Sequence, residues 1–254
     1  MPMTNMQNRD KKIPLSNRMQ SILSMLQQEK LSHGKIPCVA DIGCDHAFVS
    51  MACVRDGLAE RVIAMDVRKG PLSIAQTHIQ EYGFGKSVET RLSNGFEAME
   101  PGEATWAVLA GMGGELMKTI LQNGKAHLDA GIGLILQPQS EPQAVRSYLQ
   151  EERYIIIDED FLQEDEKFYT IIKAIKNTGT KKLPQMDNVE LKYGPVLLRK
   201  ENPVFQEYLM EEQHKMQELQ NRLSLQDTVS SKRRRKELEE KLLLLARAMT
   251  WNHG

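Results

Sequence analysis

The sequence predicts an α/β fold: a parallel sheet with a terminal antiparallel hairpin, followed by an α-helical coiled-coil hairpin. Three observations predict it. Short apolar runs alternate with helix-periodic segments as far as Glu151; two β-rich runs then follow with no helix between them; from about Pro203 the pattern is helical alone.

The elements follow in order. Leu15, Met19, Ile22, Leu23, Met25 and Leu26 have helical spacing behind Ser16, a side chain suited to cap the first turn. Cys38 to Gly43 is an apolar run ending in acid and glycine, hence a buried strand entering a tight turn. Phe48 to Asp56 is a helix, Arg61 to Asp66 a second strand, and Pro71 to Tyr82 a helix with Pro71 in its first turn. A short β-like segment precedes Arg91 to Phe96. Trp106 to Leu109 and Gly133 to Leu136 are further strands, with helices expected at Glu115 to Gln122 and Gln143 to Glu151. Tyr154 to Asp158 and Phe168 to Ile175 form the hairpin, joined by an acidic loop over Leu162 to Lys167. Asn177 to Asp187 is a polar hinge. Val204, Tyr208, Met216, Leu219 and Leu223 mark one late helix; Leu238, Leu242, Leu245 and Met249 mark another, with a break near Ser224 to Ser231.

A length of 254 residues accommodates one α/β domain and a smaller appendage, so the expected division is 1–177, a connecting segment 178–202, and a helical hairpin 203–254. The formal net charge of −1 means that any nucleic-acid contact must come from local basic clusters, not from the field of the whole molecule. Cys38, Cys44 and Cys53 lack paired spacing, so buried, reduced thiols and no metal are expected. The polar segment Met1 to Lys12 has no signal-peptide core and no run is long enough to span a bilayer, so no membrane partner and a cytoplasmic location are expected.

The stretch Val39 to Ala47 is the most informative. A strand ending in acid-x-Gly and turning into a helix aims backbone N–H groups at a ligand, and Gly43 lets the ligand approach. Asp66 ends the next strand 23 residues after Gly43, close to the ~20-residue offset at which a carboxylate accepts ribose hydroxyls. Two acids at adjacent strand ends define a nucleoside pocket; the plainer alternative is a helix cap and an exposed turn. A nicotinamide or flavin site wants Gly-x-Gly-x-x-Gly, whereas Cys44, Asp45, His46 and Ala47 follow Gly43. Asp45 repels a pyrophosphate and suits the sulfonium and amino groups of S-adenosylmethionine, so charge selects the methyl donor. Asn94 is placed to hydrogen-bond the cofactor's adenine, with Phe96 packing nearby. Three glycines in Gly111-Met112-Gly113-Gly114 open space where donor and substrate meet. The expected cofactor set is Asp41, Gly43, Cys44, Asp45, Asp66, Val67, Asn94, Gly95, Ala110, Gly111 and Met112.

Together, Asp41-Ile-Gly-Cys-Asp-His-Ala, Gly70-Pro71-Leu72, Ser93-Asn94-Gly95, Ala110-Gly-Met-Gly-Gly, Leu136-Gln-Pro-Gln and Glu166-Lys-Phe-Tyr resemble the bacterial tRNA (adenine-22-N1)-methyltransferases of the TrmK type. The resemblance runs from Leu15 to Leu198, and the late helical pair is similar to that family's architecture. It implies a Rossmann-like class I methyltransferase sheet, S-adenosylmethionine as cofactor, and methylation of N1 of adenosine 22 in the tRNA D arm. Asp45 and Ala47 replace two glycines of the broader methyltransferase pattern, a departure that this family shares.

An adenine N1 attacks with an in-plane lone pair, so positioning matters more than a strong base. Glycines in place of an Asn-Pro-Pro-Tyr motif after the fourth strand agree with ring-nitrogen methylation. Asp45, His46 and Gln137 are the positioning candidates. His46 either touches substrate or the methionine carboxylate, or packs; Gln137 either binds the base edge or holds a turn. Phe168 and Tyr169 either stack on an extruded base or belong to the core. For tRNA, the candidates are Arg9, Lys11, Lys12, Arg18, Gly113, Arg146, Tyr169 and the run Lys232, Arg233, Arg234, Arg235, Lys236. Cations at a helix start oppose the helix dipole, which a phosphate partner explains; a solvated face is the alternative. Two rival functions stay open on sequence: a methyltransferase for a small molecule or protein, and a non-catalytic S-adenosylmethionine-binding protein. The oligomeric state is not fixed by the sequence.

Overall fold

A computed structural model describes residues 12–180, 184–225 and 228–251. The strands are β1 (Ile36–Ile42), β2 (Ala59–Asp66), β3 (Val88–Leu92), β4 (Trp106–Met112), β5 (Gly133–Pro138), β6 (Tyr154–Glu164) and β7 (Lys167–Lys176). The helices are α1 (Asn17–His33), α2 (Phe48–Arg55), α3 (Lys69–Glu81), α4 (Gly114–Asn123), α5 (Lys125–Asp129), α6 (Pro142–Glu151), α7 (Asn188–Tyr193), α8 (Pro203–Ser224) and α9 (Val229–Met249), with a 3-10 turn at Leu197–Arg199. No helix of the described residues is long and apolar enough to cross a membrane.

The seven strands form one sheet in the order β3-β2-β1-β4-β5-β7-β6, parallel except for β7, which runs antiparallel to both neighbours. Strand alternation divides the apolar residues between two layers. In β1 and β2, Val39, Val62 and Ala64 pack with α1, α2 and α3, whereas Ala40, Ile42, Ile63 and Met65 pack with α4, α5 and α6. The order reverses between β1 and β4, so the loops at their carboxyl ends part and leave a crevice there.

The hairpin differs from expectation. Residues 162–167 are not a loop: the ladder continues to Glu164↔Lys167, and only Asp165 and Glu166 turn the chain. Both have left-handed φ (47° and 60°), the twist that a two-residue hairpin turn demands.

Arg146 is corrected. It is buried in α6, where its Nε donates to Glu159 on β6 at 2.8 Å and its Nη1 donates to the carbonyls of Leu191 and Lys192. Glu159 also accepts from the N–H groups of Val196 and Leu197. The pair clamps four elements together and is closed to RNA. Residues 188–199, within the expected connecting segment, are folded: Asp187 caps α7 through a capping box, and Val189, Tyr193, Leu197 and Leu198 are buried.

A third apolar cluster joins those residues to Phe161, Phe205, Leu209, Leu245 and Ala248. Phe205 begins α8 and Ala248 ends α9, so the two helices run antiparallel. In the last turn Ala248, not Met249, faces inward. Phe168 stacks on Phe161 (ring centroids 5.6 Å) and meets Tyr208 (5.1 Å), so one side of its half-buried ring serves packing.

Candidate active site

The loop after β1 is built by backbone. Gly43 has φ +78°, and the N–H groups of Gly43 and Cys44 both donate to the Met65 carbonyl of β2, at 2.8 and 2.9 Å. Asp45 and Ala47 also adopt left-handed φ, and the Ala47 N–H closes a tight turn on Cys44 before α2 starts. At Gly43 a Cβ would stand 3.2 Å from the Met112 methyl, so glycine serves both conformation and contact with the β4 loop.

Two carboxylates end the neighbouring strands. Asp41 is buried; its loss of solvation pushes its pKa up to about 6, against the lowering effect of the Ser50 hydroxyl that donates to it, with the Asp66 charge adding to the rise. Asp66 is 4% exposed. One of its oxygens accepts from the Arg68 N–H at 2.8 Å; the other makes no hydrogen bond among the described residues. On β3's side, the Ser93 hydroxyl holds the turn by donating to the Gly95 carbonyl and accepting from the Ala98 N–H, and the Asn94 amide donates to Glu97. Phe96 does not reach the pocket: it is buried against His127, centroids 4.8 Å apart.

After β4, a bulge between Ala110 and Met112 puts Gly111 at φ +76°. Gln137 lines the cavity between these loops and also makes the turn-holding contacts, the second of its two expected roles. It is 1% exposed, its carboxamide oxygen accepts from the Gly111 N–H at 3.1 Å, and its nitrogen donates to the Pro138 carbonyl. It is a positioning residue for the glycine turn. The glycines there differ in purpose: a Cβ at Gly114 would lie 2.6 Å from the Ser140 carbonyl oxygen, whereas one at Gly113 would meet only the Ser140 hydroxyl, at 3.2 Å.

These loops enclose a cavity of about 590 Å³. Every expected cofactor residue lines it: Asp41, Gly43, Cys44, Asp45, Asp66, Val67, Asn94, Gly95, Ala110, Gly111 and Met112. Gly113 and His46 line it too. His46 lies 3.6 Å from the Asp45 carboxylate through Nε2, its Nδ1 is buried without a hydrogen-bond partner among the described residues, and its ring lies beside Phe48 and His78. Ser16 and, in α1, Arg18, Met19 and Ile22 form a wall of the cavity; in the sequence Ser16 reads as a cap, Met19 and Ile22 as a helix stripe, and Arg18 as an RNA contact. Leu116, Ile120 and Gln139 were missed; the apolar pair belongs to an ordinary helix stripe, and Gln139 carried no signal beyond its motif. Cys44 is a lining thiol, driven well above its ordinary pKa by burial, and all three cysteines are free.

The residues fit a cationic nucleoside ligand. Asp41, Asp45 and Asp66 face one cavity, and Asp66 keeps an open acceptor where a ribose would present hydroxyls. At the mouth, the Arg18 guanidinium pairs with Glu164 and lies 4.4 Å from the ring centre of Tyr169. A second cavity of about 610 Å³ opens beyond, lined by Gln139, Gln163, Glu166, Lys167, Phe168, Tyr169, Glu211 and Lys215. The basic run occupies the first turns of α9 behind the Thr228 cap; Lys232, Arg233, Arg234 and Lys236 are exposed, Arg235 is half-buried, and Arg233 pairs with Glu237. Arg9 and Lys11 lie outside the described residues; Lys12 is exposed.

Sheet order, paired strand-end acids and a glycine turn after the fourth strand define a class I methyltransferase that uses S-adenosylmethionine. The sequence model of the tRNA (adenine(22)-N(1))-methyltransferases, TrmK, matches residues 39–247. The chain belongs to that family. It is 32% identical to the tRNA (adenine(22)-N(1))-methyltransferase of Bacillus subtilis, over 95% of this chain and 99% of the relative. The crystal structure of the B. subtilis enzyme is similar with a TM-score of 0.78 and 29% identity, over 94% of this chain and all of that one. An uncharacterised Listeria monocytogenes protein gives a TM-score of 0.84 at 28% identity, over 93% and 100%. A Streptococcus pneumoniae relative crystallised with S-adenosyl-L-methionine gives 0.78 at 25%, over 93% and 100%.

Proposed function

We propose that this chain transfers the methyl group of S-adenosylmethionine to N1 of adenosine 22 in tRNA, in the cytoplasm. One observation carries the reading beyond family membership: the turn Gly111–Gly114 presents only backbone and a methionine beside the carboxylate-lined cavity. An exocyclic amine must give up a proton on methylation, and the turn's amides and methionine offer no group to take it; a ring nitrogen needs only room and alignment.

When bound, S-adenosylmethionine supplies a methyl group on a sulfonium. Asp66 accepts the ribose hydroxyls through its open oxygen, Asn94 faces the cofactor's adenine, and Asp41 and Asp45 balance its cationic end. Gln137 keeps the Gly111 turn in shape, and Gly113 leaves the transfer space clear. Because N1 carries no proton, no side chain has to remove one before attack, and the carboxylates contribute by fixed charge. Arg18 and Tyr169 meet RNA at the mouth, and Lys232, Arg233, Arg234, Arg235 and Lys236 meet phosphates along α9.

Nucleoside analysis of tRNA from cells lacking the gene tests the reading. The expected result is loss of 1-methyladenosine at position 22, restored by the gene. An unchanged tRNA methylation pattern, with methyl transfer found only to a protein or small molecule, would overturn it.

A further inference from the structure

The two cavities meet at one side chain. Among the described residues, Gln139 lines both the carboxylate-rich pocket and the second cavity beneath Tyr169. Its backbone N–H donates to the Met112 carbonyl at 2.9 Å, which fixes its Cα beside the glycine turn, while its carboxamide has no hydrogen-bond partner among the described residues. The nitrogen of that carboxamide lies 3.8 Å from where a Gly111 Cβ would stand, so it overhangs the turn at the carboxyl end of β4. The two other carboxamides that line the first cavity are committed: Gln137 to Gly111 and Pro138, Asn94 to Glu97. Gln163 lines the second cavity only.

We propose that Gln139 is the specificity-determining residue that reads the target adenine, its carboxamide oxygen accepting from the N6 amine and its nitrogen donating to N7. The assignment rests on the tRNA adenosine reading above. A carboxamide matches adenine in two ways, through the edge that carries N1 or through the N6/N7 edge. The first would engage the lone pair that must attack. The second leaves N1 free to face the donor pocket while both ends of the carboxamide are satisfied. Tyr169, half-exposed under Arg18, supplies a ring face for a base in the outer cavity but no matched donor and acceptor; Gln139 stands between that face and the donor.

The test compares ligated synthetic tRNAs carrying adenosine, purine riboside (no N6 amine) or 7-deazaadenosine (no N7) at the target position. With the intact enzyme, kcat/KM should fall roughly 10- to 100-fold for each analogue, the range of one well-made bidentate contact. Gln139→Ala should lose that discrimination, leaving only the differences in intrinsic N1 reactivity among the three bases. Gln139→Glu, which accepts but does not donate, should keep the purine riboside penalty and lose most of the 7-deaza penalty. Equal discrimination by the intact enzyme and Gln139→Ala would overturn the proposal. Failure of the intact enzyme on adenosine tRNA would instead overturn the substrate reading itself, so the two failures are distinct. The exposed position of Gln139 lets both variants fold, and melting temperatures check this.

Discussion

Asp66 gives one carboxylate oxygen to the Arg68 backbone and leaves the other to the cavity, so its charge is positioned by the loop that follows β2. Asp66→Ala removes roughly one or two charge-assisted hydrogen bonds to the ribose, each about 1.5–3 kcal/mol, and should weaken S-adenosylmethionine binding at least about tenfold. Asp66→Asn keeps an acceptor for Arg68 and separates loop damage from ligand loss; calorimetry giving wild-type affinity for both would remove Asp66 from the site. Asp41 adds a pH signature. With its pKa raised to about 6, a cationic ligand beside it draws the proton off, so binding at pH 6 should release up to about half a proton that binding at pH 8 does not. Calorimetry in buffers of different ionisation heat reads this, and Asp41→Asn should abolish it. The stability sign is opposite to that of a salt-bridged acid: the fold holds this proton more tightly than the unfolded chain, so Asp41's contribution is fully favourable below its ordinary pKa of 3.8 and is lost as pH rises through about 6. At this scale the sequence was legible where chemistry and chain order coincide. Asp41, Gly43 and Asp66 sit at strand ends, and strand ends are readable. Arg146 was misread because a side chain's partner is set by the fold: Glu159 is a β6 residue with nothing local to mark it as the guanidinium's mate.

Elements show the same division. The parallel sheet follows from alternation, but the hairpin turn was hidden, since Asp165-Glu166 lacks the glycine that usually announces a left-handed pair. The α7 segment was hidden by its polar flanks, although Asp187 and Glu190 form a capping box that a closer search could have found. Two glycines of α4's first turn make a contrasting pair. Gly114→Ala drives a methyl into the Ser140 and Glu141 carbonyls and should distort the β5–α6 loop, lowering melting temperature and methylation together. Gly113→Val has an ordinary φ of −64° and should keep the fold and the cofactor while blocking the substrate. If Gly113→Val abolishes cofactor binding as well, the transfer space lies elsewhere. Arg146→Ala strands Glu159 without its partner and should cost about 3–5 kcal/mol in denaturant unfolding.

At the scale of the whole molecule, the late helices are not a detachable arm. Phe205, Leu209, Leu245 and Ala248 share a cluster with Phe161, Tyr193 and Leu197, and Arg247 holds Asp187 at 2.7 Å. Removing residues 203–254 would bare that cluster and should cause aggregation, so the RNA contribution of α9 is better measured in the full chain. Neutralising Lys232, Arg233, Arg234, Arg235 and Lys236 should leave the melting temperature near its original value and reduce the salt slope of tRNA binding by about one unit per lost phosphate contact. An unaltered slope would assign these cations to solvent.

The wall that α1 gives the cofactor cavity has a consequence for the nascent protein. Translation has supplied nearly every loop that lines the carboxylate-rich cavity by Gly114, yet α1 is moored to residues made much later. The Asn17 N–H and the Arg18 side chain bind Glu164, Ser21 binds Asp160, and Lys173 donates to the Met25 carbonyl across 148 residues. A ribosome-bound chain therefore carries the signature of the site long before it has a closed site. Cofactor reaching such a chain finds strand ends without the α1 wall, and the stabilisation that ligand gives a finished fold arrives only once the hairpin has left the exit tunnel.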